Sequence, residues 1–310
     1  MGQIQEFYFF VARVKQFLAK ANFLEIITPP MVENPGVESH IHPYQIYQAQ
    51  NSQKTSYYLN TSPEFKLKEC LARDPELQNI YSLNYAFRDE PQSPIHRSQF
   101  LMLEWYRVNQ TYKKIMQDCE DLISYLNPKF NSMENRTVSS LFQEFLNFDP
   151  TDFSNTKELK LKIKKDIKEV ILPKDDLAWD DYFFLIWLNC IEPKLKNYSA
   201  IIVKEYPAQL SAFAQINKSN PKVCNRFELF INGIEIANCY QEVTDPIEME
   251  NRIQELLKIK YDSYKYNLPY PQLFIEQFKK GYPPSSGIAL GVQRLYGALA
   301  KSENIFLLED

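Results

Sequence analysis

Apolar residues recur at two different spacings along the chain, and each spacing predicts a different element. Residues 4–18 place apolar side chains at the three- and four-residue intervals of an amphipathic helix. Residues 80–88 and 100–108 instead alternate apolar with polar side chains, which predicts two strands that each have one polar face. The chain therefore combines helices with strands, and these two strands form a hairpin with a long polar loop.

The same signals place the remaining elements. Further helices are predicted at 65–73, 112–126, 157–165, 180–191, 247–268 and 274–280, and further strands at 23–28, 200–206, 226–231 and 234–240. Asn232-Gly233 joins the last two strands, and this dipeptide is the strongest short-range sign of a hairpin. A final apolar run with two glycines, residues 285–291, turns into a helix that begins near Val292.

The Asn-Gly hairpin brings two carboxylates together. Counting back from a two-residue loop pairs Phe230 with Glu235. The next position on that side pairs Glu228 with Ala237, so Glu228 and Glu235 lie two positions apart on one side of the sheet. Two like charges this close need a cation or solvent. Magnesium fits, because it uses one or two carboxylates plus substrate phosphates. A solvent-facing acidic hairpin is the alternative.

Two arginine-bearing segments are candidate phosphate sites. Arg88 precedes a long loop that contains His96 and Arg97, and loops beyond hairpin length are usually functional or disordered. Arg294 opens the last helix, directly after a glycine-bearing strand on which a nucleotide ring could lie. The alternatives are a solvated hairpin tip for the loop and a surface arginine at a buried strand–helix corner for Arg294.

A further carboxylate stands at the start of a predicted helix. Ser62 is a plausible N-cap and Pro63 the first helical residue. Glu64 then lies in the first turn, where the helix dipole favours a negative charge. The same carboxylate could face a substrate amine.

Composition narrows the classes of function. The 310 residues carry a net charge of −4, without the basic excess of nucleic-acid binders. No apolar run is long enough to span a membrane, and the N-terminus lacks the pattern of a signal peptide. The five cysteines are scattered without a CxxC pair, which argues against zinc and favours a reducing cytoplasm. We expect a cytoplasmic protein with no membrane partner.

The order of these elements resembles the catalytic domain of class II aminoacyl-tRNA synthetases. Motif 1 looks like residues 11–30. Motif 2 looks like residues 87–107 (FRDEPQSPIHRSQFLMLEWYR), and motif 3 looks like residues 287–295 (GIALGVQRL). Motifs 2 and 3 together are highly specific, whereas motif 1 alone is weak.

Within that class the chain resembles the lysyl branch, through TSPE, MLEWYR and GIEIANCYQEVTD. It is most similar to the elongation factor P–(R)-β-lysine ligases, a family of stand-alone paralogues of lysyl-tRNA synthetase. Since the sequence starts at motif 1, we expect no N-terminal OB-fold. Residues 206–215 are similar to that family's PASQASLAQ segment, and Ala289 stands where lysyl-tRNA synthetases usually have glycine. Residues 128–193, a less typical helical region, match only loosely.

The resemblance implies one α+β domain over residues 1–310, an antiparallel sheet flanked by helices, and a homodimer through motif 1. Arg88 would hold the α-phosphate and Arg294 the γ-phosphate end, as catalytic residues, and Glu228 and Glu235 would bind Mg²⁺. The implied ATP site comprises Arg88, Asp89, Glu90, His96, Arg97, Glu235, Ile236, Gly291 and Arg294. The implied amino-acid site comprises Ser62, Pro63, Glu64, Tyr106, Asn238, Glu242 and Ala289.

The implied reaction has two steps: (R)-β-lysine or lysine becomes an adenylate, and a lysine amine of elongation factor P then attacks it. The chain departs from the family at Arg97, Gln99, Cys239 and Gln293. Activity is still expected, because the charged groups for phosphate and metal are kept. One alternative is a truncated synthetase that acts on tRNA or on another amine. Of these two acceptors, tRNA is not expected as a partner. The other is a non-catalytic sensor of nucleotide or amino acid.

Overall fold

The structure is a computed structural model that describes residues 2–50, 52–300, 302 and 305–308. Its strands are β1 (Leu24–Glu25), β2 (Met31–Val32), β3 (Gln45–Tyr47), β4 (Lys54–Leu59), β5 (Asn79–Phe87), β6 (Gln99–Val108), β7 (Glu134–Thr137), β8 (Ala200–Lys204), β9 (Arg226–Ile231), β10 (Ile234–Gln241) and β11 (Ser285–Gly291). Its α-helices are α1 (Gln3–Lys20), α2 (Glu64–Arg73), α3 (Tyr112–Leu126), α4 (Val138–Leu146), α5 (Thr156–Asp166), α6 (Trp179–Ile186), α7 (Pro246–Tyr264), α8 (Gln272–Gly281) and α9 (Val292–Ala300).

Eight strands form the main sheet, in the order β1-β5-β6-β11-β10-β9-β8-β7. The six central strands are antiparallel, as expected. The two edges differ from the expectation, because β1 pairs with β5 and β7 pairs with β8 in parallel. Strands β2–β4 and helix α2 connect β1 to β5, and helices α4–α6 connect β7 to β8. Both connections are long enough to return the chain to the end at which the first strand began, as parallel pairing requires. The sheet is therefore mixed, in an α+β fold.

One face of the sheet is covered by α1, α3 and α9. Their apolar side chains meet those of β9, β10 and β11 in one hydrophobic cluster, which we call the back cluster; it includes Val14, Leu122, Ile123, Leu229, Ile288 and Leu295. Alternation along β9 explains the choice of side, since Phe227, Leu229 and Ile231 belong to this cluster and Glu228 lies between them on the opposite face.

The opposite face is covered only at its two ends. Helices α4–α6 pack over β8 and β9 in the insertion cluster, which includes Phe142, Phe183, Trp187, Val203 and Phe230. Helices α2, α7 and α8 pack beside β5 and β6 in the flank cluster, which includes Phe65, Leu71, Ile253, Phe274 and Phe278. Between these two clusters the middle of the sheet is left open to a cavity.

Most predicted elements are present, with shifted ends. Helix α3 and strand β9 match their predicted bounds. The strand predicted at 23–28 is reduced to Leu24–Glu25, where it pairs with β5. Helix α7 stops at Tyr264 because Lys265 adopts a left-handed conformation with φ of 59°. Helix α2 begins at Glu64 with Pro63 as its N-cap, so the assignment of Ser62 to that position was wrong.

The predicted register of the β9–β10 hairpin is correct near the turn and wrong beyond it. Ile231 pairs with Ile234, and Phe230 with Glu235. A β-bulge between Glu235 and Ala237 then shifts the pairing by one residue, so that Glu228 lies opposite Asn238 instead of Ala237. Because Ile236 and Ala237 both join the back cluster, the bulge returns Asn238 to the face of Glu228.

Two findings concern the environment of the chain. All five cysteines carry free thiols. Within the described ranges, none of the helices combines the length and the apolar character needed to cross a lipid bilayer.

Candidate active site

A cavity of about 570 Å³ lies over the open middle of the sheet. Its floor comes from β6, β10 and β11, its walls from the insertion and flank clusters, and one rim from the loop after β5. The predicted site residues found in its lining are Ser62, Glu64, Arg88, Glu90, His96, Arg97, Tyr106, Glu228, Glu235, Ile236, Asn238, Glu242, Ala289, Gly291 and Arg294. Of the predicted residues, all of them described, only Pro63 and Asp89 are outside this lining.

Three arginines of the cavity lining donate to backbone carbonyls and form no ion pair with a described residue, and Arg88 and Arg294 are two of them. The Nε of Arg88 donates to the carbonyl of Thr61 over 3.4 Å, and its guanidinium lies 5.2 Å from the centre of the Phe100 ring. Arg294 donates to the carbonyls of Ile95 and Glu235 over 3.1 and 3.3 Å.

Arg97 is held in the same way. Its Nη1 donates to the carbonyls of Ser93 and His96 over 2.5 and 2.9 Å. Across the described ranges, none of these three arginines forms an ion pair. Carbonyls orient a guanidinium without neutralising it, so the three charges stay available to an anion. His96 lies beside them, and burial and Arg294 lower the pKa of its imidazole.

The two carboxylates of the hairpin lie on the cavity face of the sheet. Glu228 is buried, which excludes the solvent-facing hairpin for this residue. Arg226 donates to one of its oxygens over 2.6 Å, and Tyr206 donates to the other over 2.5 Å. Burial raises the pKa of Glu228, Arg226 opposes that rise, and the nearby charge of Glu235 adds to it.

Carboxylates and one buried cation meet on the wall formed by α2, β6 and the end of β10. Lys68 is fully buried, and its ammonium lies 2.6 Å from both Glu64 and Glu242. Burial alone would lower the pKa of Lys68, but Glu242 and Glu64 raise it well above its usual value. Burial also raises the pKa of Glu242 to about 7. Acids therefore outnumber bases on this wall.

Glu104 is one residue of the cavity lining that sequence reasoning left out of the site. It is 2% exposed, and Tyr106 donates to its Oε1 over 2.8 Å. Its Oε2 is buried, and no described residue hydrogen-bonds to it. Burial and the charge of Glu64 raise the pKa of Glu104 well above its usual range. The signal was available, because residues two apart on a strand share a face and Tyr106 was already assigned to the site.

Glu38 and His40 were also missed. Both lie in the cavity lining, on a loop whose sequence carries no helix or strand pattern. His40 contacts Asp180 at the start of α6 over 3.5 Å, which connects the loop to the insertion cluster. No sequence signal could have assigned these residues, because tertiary contacts alone bring them to the cavity.

Gly287 sets the shape of the floor beside Tyr106. The two residues pair across β11 and β6. A Cβ at position 287 would lie 2.2 Å from the tyrosine ring, closer than any real contact. Glycine is therefore required if Tyr106 is to lie flat and reach Glu104.

Known proteins give an independent comparison. The family model described as tRNA synthetases class II (D, K and N) matches residues 3–307. The elongation factor P–(R)-β-lysine ligase of Vibrio vulnificus strain YJ016 is 30% identical over 295 residues, which cover 94% of this chain and 90% of that protein. The proteins of the same name from Hamiltonella defensa and Vibrio cholerae are 27% and 29% identical, and each comparison covers 95% of this chain and 90% of the relative.

Proposed function

The chain belongs to the class II tRNA synthetase family, and from that premise we propose that it is an ATP-dependent ligase. It activates (R)-β-lysine or lysine as an adenylate and transfers it to a lysine side chain of elongation factor P. One observation carries the proposal: a single cavity has unneutralised arginines and an excess of buried carboxylates in its lining. That combination is complementary to a triphosphate and a diamine. The choice of elongation factor P as the acceptor comes from the names of the relatives reported above.

ATP occupies the arginine end of the cavity in this proposal. Arg88 contacts the α-phosphate and Arg294 the γ-phosphate, while Arg97 and His96 border the phosphates. Glu90, Ile236 and Gly291 line the space for the base and ribose. As charge develops on the α-phosphate, fixed guanidiniums stabilise it without reorganising.

Mg²⁺ is proposed at Glu228 and Glu235. No group of three or more potential metal-ligating side chains occurs in the described part of the chain. A two-carboxylate set still fits magnesium, which takes its other ligands from water and from substrate phosphates. When bound, the ion would offset phosphate charge. Arg226 and Tyr206 fix the orientation of Glu228.

The amino-acid substrate occupies the carboxylate end, with its terminal ammonium toward Glu104 and Glu242. Its carboxylate attacks the α-phosphorus of ATP, and pyrophosphate leaves. The uncharged amine of the acceptor lysine then attacks the adenylate carbonyl, and an amide forms. AMP leaves with the electron pair of the broken bond, and the amine releases one proton to solvent. Positioning and charge stabilisation suffice for both steps, so no protein nucleophile is required.

A homodimer is also proposed, with α1 and β1 at the interface. Tyr8 and Phe9 on α1 are 47% and 58% exposed, and Ile27 after β1 is 85% exposed. Such a set of exposed apolar side chains is typical of an interaction surface. Sedimentation analysis of the protein and of Phe9→Glu tests this point, since the charge should convert a dimer to a monomer.

Because the acceptor is a translation factor, we propose the cytoplasm as the site of action.

The decisive experiment is intact-mass analysis of elongation factor P from the same organism. It is incubated with this protein, Mg-ATP and, separately, (R)-β-lysine or α-lysine. We expect a gain equal to one lysyl residue, larger with the β isomer, and no gain with Arg88→Ala as the control. Pyrophosphate exchange without a mass gain would assign a different acceptor, with tRNA tested first. Failure of both assays would refute the ligase and favour a sensor.

A further inference from the structure

Glu38 is a carboxylate with an unused acceptor at the edge of the cavity. Its Oε2 is buried, and no described residue hydrogen-bonds to this atom. Burying a carboxylate oxygen without a hydrogen-bond partner costs free energy. The burial of this oxygen therefore needs an explanation, such as a ligand that binds to it. Glu38 lines the same cavity as Ser62, Glu64 and Arg88. The carboxylate of Glu38 therefore borders the space that a ligand of this cavity would occupy.

The loop that carries Glu38 is clamped on both sides. Thr61 donates through its backbone amide and its hydroxyl to the carbonyl of Pro35, over 3.1 and 2.5 Å. On the other side, the buried ammonium of Lys260 on α7 donates to the carbonyls of Ser39 and Ile41 over 3.1 and 2.6 Å. Glu38 is thus held by contacts that do not consume its carboxylate.

Gly36 makes this close approach possible. Its φ is +126°, a conformation that other residues rarely adopt. A Cβ there would lie 2.7 Å from the hydroxyl oxygen of Thr61 and 2.8 Å from Oε2 of Glu38. The glycine therefore allows the carboxylate of Glu38 to pack against the residues that precede α2.

Thr61 places the loop of Glu38 beside Arg88, because its hydroxyl donates to Pro35 of that loop and its carbonyl accepts from Nε of Arg88. Burial and Glu64 raise the pKa of Glu38, while Arg88 and Lys260 lower it. Glu64 and Glu242, in contrast, act on Glu104. Glu64 thus acts on both carboxylates. One group, with Glu104, suits the far ammonium of a diamine; the other, with Glu38, lies toward Arg88 and the reacting carboxylate.

Of the two acids toward Arg88, Glu38 is the less committed. Glu64 already has the ammonium of Lys68 at 2.6 Å from its Oε1. Glu38 has no ion pair with any residue that the structure describes. An ammonium that enters this end of the cavity would therefore find its free acceptor at Glu38.

We propose that Glu38 binds the second ammonium of the substrate, the one near the reacting carboxylate, and so determines which lysine isomer is used. This inference rests on the proposed function. In α-lysine that ammonium is on the carbon next to the carboxylate, and in β-lysine it is one carbon further away. A fixed carboxylate distinguishes the two positions, because a hydrogen bond to a charged group weakens steeply with distance and angle.

The test uses three ligands and two variants. The ligands are (R)-β-lysine, α-lysine and ε-aminocaproate, which keeps the carboxylate and the terminal ammonium but lacks the second ammonium. Glu38→Gln removes the charge at nearly constant volume, and Glu38→Asp withdraws it by one methylene. Glu33→Gln, an exposed glutamate on the same segment, is the matched control. Dissociation constants come from calorimetry on the full chain.

Glu38→Gln should weaken binding of the preferred lysine isomer by about 10- to 100-fold, the range for loss of one charged hydrogen bond. The same variant should leave ε-aminocaproate within about twofold, a change too small to represent a lost hydrogen bond. Glu38→Asp should change the ratio between the two isomers, and Glu33→Gln should change nothing. Equal losses for all three ligands, or no loss for any, would overturn the proposal.

The proposed function has a separate readout. If the unaltered chain binds the isomers but does not catalyse pyrophosphate exchange, adenylate formation is refuted while the binding ratios still decide the role of Glu38. If exchange occurs and the ratios stay flat in Glu38→Gln, only the inference on Glu38 fails.

Discussion

The two ends of the cavity prepare for their ligands in opposite ways. At the arginine end, Arg88 and Arg294 are held by backbone carbonyls and keep their full charge. At the carboxylate end, Lys68 already pairs with Glu64 and Glu242 inside the protein. The first end is oriented but not compensated, whereas at the second end one buried cation already offsets part of the negative charge before any ligand arrives.

Because of this difference, the carboxylate end should matter mainly for the stability of the fold and the arginine end mainly for the proposed reaction. A guanidinium at the edge of a cavity can be removed with little effect on folding, because water replaces the missing contacts. A buried ammonium between two carboxylates cannot, because its loss leaves charges without a partner in a poorly solvated site. Substitutions at the two ends should therefore fail in different assays.

The largest effect is expected from Lys68→Met. It should lower the free energy of unfolding by about 3–5 kcal/mol, because Glu64 and Glu242 lose the cation between them. Urea unfolding at neutral pH measures the change. Lys222→Met, which breaks an exposed pair with Asp152, is the control and should be nearly silent. A Lys68 variant as stable as that control would contradict the buried network.

Arg88→Ala should act on the chemistry alone. We expect pyrophosphate exchange to fall by about 10²- to 10³-fold, as for the loss of one preorganised donor to a developing charge. The melting temperature should stay unchanged. Arg88→Lys keeps the charge without the planar fork and should recover part of the rate. Exchange at the unaltered rate in Arg88→Ala would remove this arginine from the reaction.

Glu104→Gln is expected to have a smaller effect, confined to the amino-acid substrate. The lost charged hydrogen bond corresponds to about 1.5–3 kcal/mol, which should appear in the KM for the lysine isomers. The KM for ATP serves as the internal control and should not move. If both constants rose together, Glu104 would support the cavity as a whole instead of one ligand.

The pH dependence of stability gives the smallest and most specific signal. The pKa of Glu242 is about 7 in the folded chain, against 4.5 as its ordinary value. Between these values the folded state holds a proton that the unfolded state has released, so the unfolding free energy falls as pH rises through this window.

A bound diamine should reduce that slope, because its ammonium stabilises the ionised carboxylates. Melting curves from pH 5 to 8, with and without a lysine isomer, test the effect, which should amount to about a few degrees. Glu242→Gln should flatten the ligand-free curve. A curve that rises with pH across this window would reverse the assignment.

Local patterns were sufficient for most of the fold. The alternation in β5 and β6 predicted both strands, each with one polar face, and Asn232-Gly233 predicted the hairpin. The bulge at Ile236 was not predictable, because it depends on two consecutive residues packing into the same cluster. The strand at β1 was predicted but its parallel pairing was not, because the pattern of a strand does not say which neighbour it pairs with. Strand β7 was missed because Glu134–Thr137 contains no apolar residue.

The residues of the candidate site also fall into those that local patterns predicted and those that they did not. Residues on patterned strands and at helix starts, such as Glu64, Asn238 and Arg294, were predictable, and the cavity brings them together. Glu38 was not, because Lys260 fixes its loop from more than two hundred positions further along the chain. The residues next to Glu38 in the sequence show no pattern that would predict a contact with so distant a position.

The contact between Gly287 and Tyr106 has a consequence for how this cavity can diverge. With a Cβ at position 287 only 2.2 Å from the ring, position 287 cannot gain a side chain while Tyr106 keeps its ring. A lineage that acquires a side chain at 287 must first shrink position 106 and give up its hydroxyl contact with Glu104. Selection for a longer or shorter substrate therefore meets a two-step barrier at the floor, and single substitutions that alter specificity should accumulate on the loop around Glu38 instead.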